Sequence, residues 1–244
     1  MMSPTCTLCN KRISISSYAW KCTAGCGVIL HEDCKAKYNK SCSSSTTVLM
    51  KRPLSDFLST TQSPRIPSGL YMAIHEVDSR LHDEGIYRIN GSTVEVQKLR
   101  KCLANGEVTH DMLKQILDTN TICSAIKDFL RNQISEPILT FQLMPKFVEA
   151  YEHNDLNLAK ELFMELPIEN RDTLGFLLIH FKNVVLKSHA NRMTHEPLSK
   201  SVGPSIVSFI TETPNANEML EASKYQVRVL ICYVFIIVIS GRYY

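Results

Sequence analysis

Six of the nine cysteines, together with His31, fall between Cys6 and Cys42. So short a segment buries too little apolar surface to fold on a hydrophobic core alone, so its sulfurs must hold it together. The N-terminus has no positively charged segment followed by an apolar run, which predicts a chain without a secretory signal. In the reducing compartment that this implies, cytosolic or nuclear, clustered thiols bind metal instead of pairing. The ligands read Cys6-x2-Cys9-x12-Cys22-x3-Cys26-x4-His31-x2-Cys34-x7-Cys42. Zinc takes four thiolate or imidazole ligands in a tetrahedron, and closely spaced pairs let one tight turn supply two of them. Seven ligands fall one short of two complete sites. Cys102, Cys123 and Cys232 lie in apolar helical pattern and read as core thiols.

Charge divides the chain at about the same place. Residues 1–52 carry eight Lys/Arg against two Asp/Glu, and residues 53–244 carry nineteen against twenty-two. The first segment is the one that charge would draw to an anionic lipid or nucleic acid, and the second is balanced as a protein-binding domain would be. With 44% apolar and 21% charged residues, the length suits one ordinary domain plus a small module. Between the two, residues 47–66 read as a linker. Ser43, Ser44, Ser45, Thr46 and Thr47 lead into Pro53, Thr60, Thr61, Ser63, Pro64 and Pro67. Leu54, Phe57 and Leu58 interrupt it at near-helical spacing and are expected to dock on the next domain, whose boundary falls near Lys51.

From there the apolar period is helical. Leu70, Ala73, Ile74, Val77 and Leu81 mark one helix face, and Val96, Leu99 and Leu103 another, capped at Ser92 or Thr93 and stopped at Gly106. Between them Arg88 sits in a short segment with Gly85 and Gly91 on either side. A guanidinium there could project into a partner, because it stays charged and donates forked hydrogen bonds to phosphate oxygens. Most loop arginines are simply solvated, so the residue alone does not define a site. Ile122, Ala125, Ile126, Phe129 and Leu130 form the next apolar sector. Lys127 and Arg131 lie opposite, four residues apart, where like charges repel unless an acidic partner meets them. A solvated face beside Asp128 and Glu136 reads that pattern equally well. Further helices carry Phe147 and Val148 after Pro145. Another carries Leu156, Ala159, Leu162, Phe163 and Leu166, and the longest runs from Asn170 or Asp172 through Val185. No alternating strand pattern precedes residue 225, and the fold class expected is all-α.

Two resemblances follow. The order of ligands in residues 1–46 resembles the phorbol-ester/diacylglycerol-type zinc finger. The resemblance implies Zn2+ held by Cys6, Cys9, His31 and Cys34 in one complete site. It also implies a second site of Cys22, Cys26 and Cys42 that lacks its histidine, since that family's opening histidine would precede residue 1. Cys22-x3-Cys26 is one residue longer than the family's spacing. Tyr18-Ala19 replaces the Gln-Gly pair of diacylglycerol-binding members, which points to an atypical finger. Such a finger would meet acidic lipid or protein through Lys11, Arg12, Lys35, Lys37 and Lys40, or serve structure alone.

Residues 67–230 resemble the RhoGAP family. The segments that carry the likeness are Glu84 to Gly91, Lys127 to Arg131, Glu136 to Thr140, Asn170 to Leu174 and Val202 to Val207. The resemblance implies a helical RhoGAP bundle that accelerates GTP hydrolysis by a GTP-bound Rho-family GTPase of the Rac or Rho type. Such a chain is a regulator and not itself a hydrolase. Arg88 matches the arginine finger, and Lys127 and Arg131 match the basic pair that supports the finger loop and the GTPase contact. Gly203-Pro204 matches a structural turn. Where the family has an asparagine, Met193-Thr194-His195-Glu196-Pro197-Leu198 supplies Pro197, which keeps a helix start but loses a side-chain donor and acceptor. A catalytically impaired domain acting as a GTPase-binding scaffold, or an adaptor recruited to membrane by lipid, is the rival reading. Within the family the likeness is greatest to a member that works in cytokinesis, which implies a mitotic-kinesin partner through a segment upstream of residue 1. It also implies a cytoskeletal or membrane-associated place at the division site, or a nuclear one, and no nucleic-acid partner. Residues 231–244 continue an apolar run, Val229 to Ile239, that is too short to span a membrane and departs from the family's last helix.

Overall fold

The structure is a computed structural model that describes residues 5–14, 18–22, 28–39, 50–59, 63–207 and 225–226. The chain divides into two compact units, Met1–Leu49 and Met50–Tyr244.

The first unit turns on its ligand knuckle. Asn10 takes a left-handed φ of 55°, which lets its N–H close on the Cys6 carbonyl at 2.9 Å while the Cys6 N–H reaches Lys11 O. Asparagine tolerates that conformation better than most residues. An antiparallel pair follows, β1 (Ala19–Lys21) against β2 (Ile29–His31), with His31 opposite Ala19. A one-turn helix α1 (Glu32–Lys35) then carries Cys34. These three-residue strands are too short to show alternation in the sequence. Among the described residues the buried core here is Cys6, Ile13 and Leu30, a set too small to stabilise a fold unaided.

The second unit is helical. Its helices are α2 (Ser68–Asp78), α3 (Thr93–Asn105), α4 (His110–Gln115), α5 (Thr119–Asp128), α6 (Met144–Glu152), α7 (Leu156–Glu165), α8 (Ile168–Leu186), α9 (Ser188–Asn191) and α10 (His195–Ile206). One core joins them, and the apolar positions read from the sequence in α2, α3, α5 and α8 lie in it. Gly106 ends α3 in the left-handed conformation at φ 73°, the C-terminal stop its position implied. Asp118 and Asp155 cap α5 and α7 through their side chains. Helix α8 starts earlier than Asn170, because Pro167 serves as N-cap and its carbonyl takes the Arg171 N–H.

Three sequence expectations need correction. Residues 50–59, assigned to a linker by composition, pack into this unit. Arg52 pairs with the 133–135 backbone, a short turn covers Leu54–Phe57, Leu54 is buried, and Phe57 meets Phe129 edge-on at 4.9 Å. The docking of Leu54 and Phe57 was legible; its consequence, that the polar run is too short to be a spacer, was not. Gly203 and Pro204 form the end of α10 instead of a turn. Proline forfeits only one bond there, and Val207 N–H closes on Gly203 O at 2.8 Å. Helix α5 continues into a wider π turn, Phe129–Gln133, so uniform 100° spacing fails beyond Asp128. The apolar run Val229 to Ile239 and the ligands Cys26 and Cys42 lie outside the described residues.

Candidate functional site

In the first unit the knuckle, β2 and α1 bring Cys6, Cys9, His31 and Cys34 together, with all ligand atoms within 4.8 Å of one another. Cys9 Sγ lies 3.4 Å from His31 Nδ1, and Cys34 Sγ lies 3.9 Å from it. A tetrahedron with Zn–S near 2.3 Å and Zn–N near 2.0–2.1 Å has a sulfur–nitrogen edge of about 3.6 Å, so the spacing fits a metal ion. His31 Nε2 faces Arg12 O at 3.3 Å, which fixes the tautomer that leaves Nδ1 to coordinate. Burial pushes the Cys6 thiol up, but the backbone N–H groups of Cys9, His31 and Leu8 outweigh it and hold the thiol at about 6. Burial, reinforced by Cys6 and Cys9, pushes Cys34 up to about 11. Four donors so crowded resist a second negative charge, and a cation relieves that. Cys22 joins no such group among the described residues.

In the second unit the loop between α2 and α3 is fastened along its whole length. Gly85 N–H donates to Asn191 O at 2.8 Å, and Arg88 and Ile89 N–H both donate to Gly85 O at 2.9 Å. Gly85 needs its φ of 76° for that turn. At the far end Gly91 N–H donates to Ser124 Oγ at 3.1 Å and Ser92 N–H to Thr121 Oγ1 at 3.0 Å. Gly91 passes so close to α5 that a Cβ would lie 2.3 Å from Thr121 Cα. Between these ends Tyr87 is fully buried in a left-handed conformation, φ 66°. Its carbonyl accepts from Lys127 Nζ at 2.5 Å and also from Ser201 Oγ. Arg88, next in the chain, is exposed, and its side chain has no hydrogen bond or ion pair among the described residues.

Lys127 is half-buried and Arg131 exposed, and both reach α10, where Lys127 Nζ meets Ser201 Oγ and Arg131 Nη2 meets Ser205 Oγ, each at 3.3 Å. The serines are four residues apart, matching the spacing of the cations. Burial lowers the Lys127 pKa, and Arg131 lowers it further against the opposing pull of Cys123. Pro197 is in the first turn of α10, where a missing N–H leaves no helix bond unmade. It precedes Ser201 by four residues and so shares the helix face that meets the loop.

Sequence reasoning passed over Ser201, Ser205, Thr121, Ser124 and Asn191. Thr121 and Ser124 left a signal, two hydroxyls three residues apart on an otherwise apolar helix. Asn191 left none. Its side chain joins Leu81 O, Val184 O and Met193 N–H, and no local pattern links those segments.

The second unit is a helical domain that presents an exposed arginine on a fastened loop, and a family model described as the RhoGAP domain matches residues 64–209. The chain belongs to the RhoGAP family. It is 33% identical to Rac GTPase-activating protein 1 of Mus musculus over 93% of its own length and 37% of that protein's. It is 28% identical to N-chimaerin of Rattus norvegicus, over 77% of its own length and 58% of the relative's. The chain thus spans little more than a third of the mouse protein. Among solved structures, human Rho GTPase activating protein 15 superposes with a TM-score of 0.64 at 28% identity, covering 70% of this chain and 82% of that one.

Proposed function

We propose that this chain docks on the GTP-bound form of a Rho-family GTPase and inserts Arg88 to accelerate hydrolysis. The observation that carries the reading is an exposed guanidinium without a partner among the described residues, next to a carbonyl gripped by Lys127 and Ser201. Phosphoryl transfer spreads negative charge over the γ-phosphate and the bridging oxygen, and an arginine supplied in trans stabilises it by about 10³–10⁵ in rate. That is roughly 4–7 kcal/mol of barrier. The GTPase brings magnesium, nucleotide and water, and this chain brings one preorganised charge. Lys127 holds the loop carbonyl beside α10, and Arg131 ties the end of α5 to the same helix through Ser205. Single-turnover GTP hydrolysis by Rac- and Rho-type GTPases tests this: acceleration by the wild type should be lost in Arg88→Ala. Equal rates from both proteins would refute the assignment.

Pro197 supports a second reading, in which the domain binds the GTPase but turns it over weakly. It stands on the loop-facing side of α10 without an amide, so Pro197→Asn should raise the maximal rate while leaving affinity unchanged. In the first unit, the ion that Cys6, Cys9, His31 and Cys34 fit best is Zn2+, which would supply much of that unit's folding free energy.

A further inference from the structure

We infer that Asp78, His180 and Tyr87 form a relay that positions Arg88 for turnover without contributing to docking; the inference rests on the arginine reading above. Tyr87 Oη lies 2.7 Å from His180 Nε2, and His180 Nδ1 lies 2.7 Å from Asp78 Oδ1. A carboxylate only accepts, so His180 Nδ1–H donates to Asp78, which leaves Nε2 to share the second hydrogen bond with the Tyr87 hydroxyl. Tyr87 at 0% exposed and His180 at 1% lie deep, with the Tyr87 ring edge-on to Phe181 at 5.6 Å, and the Asp78 side chain, 30% exposed, closes the relay toward the surface.

The need for such a device is set by the backbone. A bulky aromatic residue at φ 66° is in a region that L residues avoid, and strain of this kind persists only where its surroundings over-determine it. Here the residue is held at both ends. The relay ties its side chain to α2 and α8, while Lys127 and Ser201 tie its carbonyl to α5 and α10. That carbonyl belongs to the peptide unit whose nitrogen is Arg88's, so clamping both ends fixes the plane from which the guanidinium departs. Phenylalanine would fill the same space and make the same ring contacts; only the hydroxyl ties the ring to His180. Asp78, His180 and the Tyr87 hydroxyl are therefore positioning residues. The surface that meets a partner lies outside them, so affinity should not depend on the relay.

The test uses the full chain with Tyr87→Phe, Asp78→Asn, the double variant, and Leu162→Val as a core control in α7. Single-turnover hydrolysis is followed against chain concentration, and hydrogen exchange is read at the Arg88 and Ile89 amides. Tyr87→Phe should lower the maximal rate about tenfold, or about 1.4 kcal/mol of barrier, with half-saturation within about twofold. Arg88 and Ile89 amides should lose protection. The double variant should be no slower than Tyr87→Phe, because both act through one device. Leu162→Val should change neither rate nor loop exchange. Unchanged protection of Arg88 and Ile89 overturns the relay, as does a loss confined to half-saturation. A wild type that accelerates no GTPase overturns the proposed function instead, and the exchange data then judge the relay independently.

Discussion

Gly91→Ala should be the most disruptive single methyl that can be added to the Arg88 loop. The new Cβ would stand 2.3 Å from Thr121 Cα and 2.4 Å from Thr121 N, whereas ordinary contact begins at 3.4 Å. The obstacle is backbone, so the loop and α5 must part by about 1 Å. The hydrogen bonds from Gly91 to Ser124 and from Ser92 to Thr121, now 3.1 and 3.0 Å long, then stretch beyond useful range. Overpacking costs about 1–3 kcal/mol, and each lost bond adds about 1 kcal/mol, giving about 3–5 kcal/mol in all. At roughly 2–4 °C per kcal/mol for a domain of this size, the second unit's melting temperature should fall by roughly 6–20 °C. Gly106→Ala is the comparison. Its Cβ would meet nothing within 4 Å, and only its φ of 73° is strained, so the cost is about 1–2 kcal/mol. Calorimetry of both variants with the wild type is decisive. If Gly91→Ala melts within 2 °C of the wild type, or above Gly106→Ala, the close approach of loop and helix is wrong.

Three further outcomes are expected. Trp20 is the sole tryptophan and lies under Lys35 Nζ at 3.1 Å, so its fluorescence reports the first unit alone. A strong chelator, or Cys34→Ser, should shift its emission to the red, and added Zn2+ should restore the chelated protein only. Burial pushes the Cys123 thiol up to about 12 from an ordinary 9. A raised folded-state pKa means that the unfolded chain loses its proton first, so stability should fall above pH 9 by up to about 1.4 kcal/mol per pH unit. Urea midpoints at pH 8, 9 and 10 should show that slope, reduced by one proton in Cys123→Ala. Lys127→Met removes a charged donor but leaves Ser201 on the Tyr87 carbonyl, so single-turnover hydrolysis should slow by more than tenfold while urea unfolding shows a stability loss of only about 1 kcal/mol.

What the residues fixed in advance had local causes. The helical period of Leu70 to Val77, the stop at Gly106, the crowding of Cys6, Cys9, His31 and Cys34, and the isolation of Arg88 between two glycines all follow from neighbours within a few positions. Why Gly91 must be glycine did not, because the atom it avoids belongs to Thr121, thirty residues on. Nor did the direction of Lys127. On a helix considered by itself it points away from the apolar face, and only the arrival of α10 and the loop carbonyl gives it a destination. The same holds for Tyr87, whose left-handed backbone is tolerable only because α2, α5, α8 and α10 close around it. Periodicity, capping and ligand spacing are one-dimensional and can be read along the chain. Which groups then share a proton or a carbonyl depends on packing between distant segments, and that is settled only when the core forms.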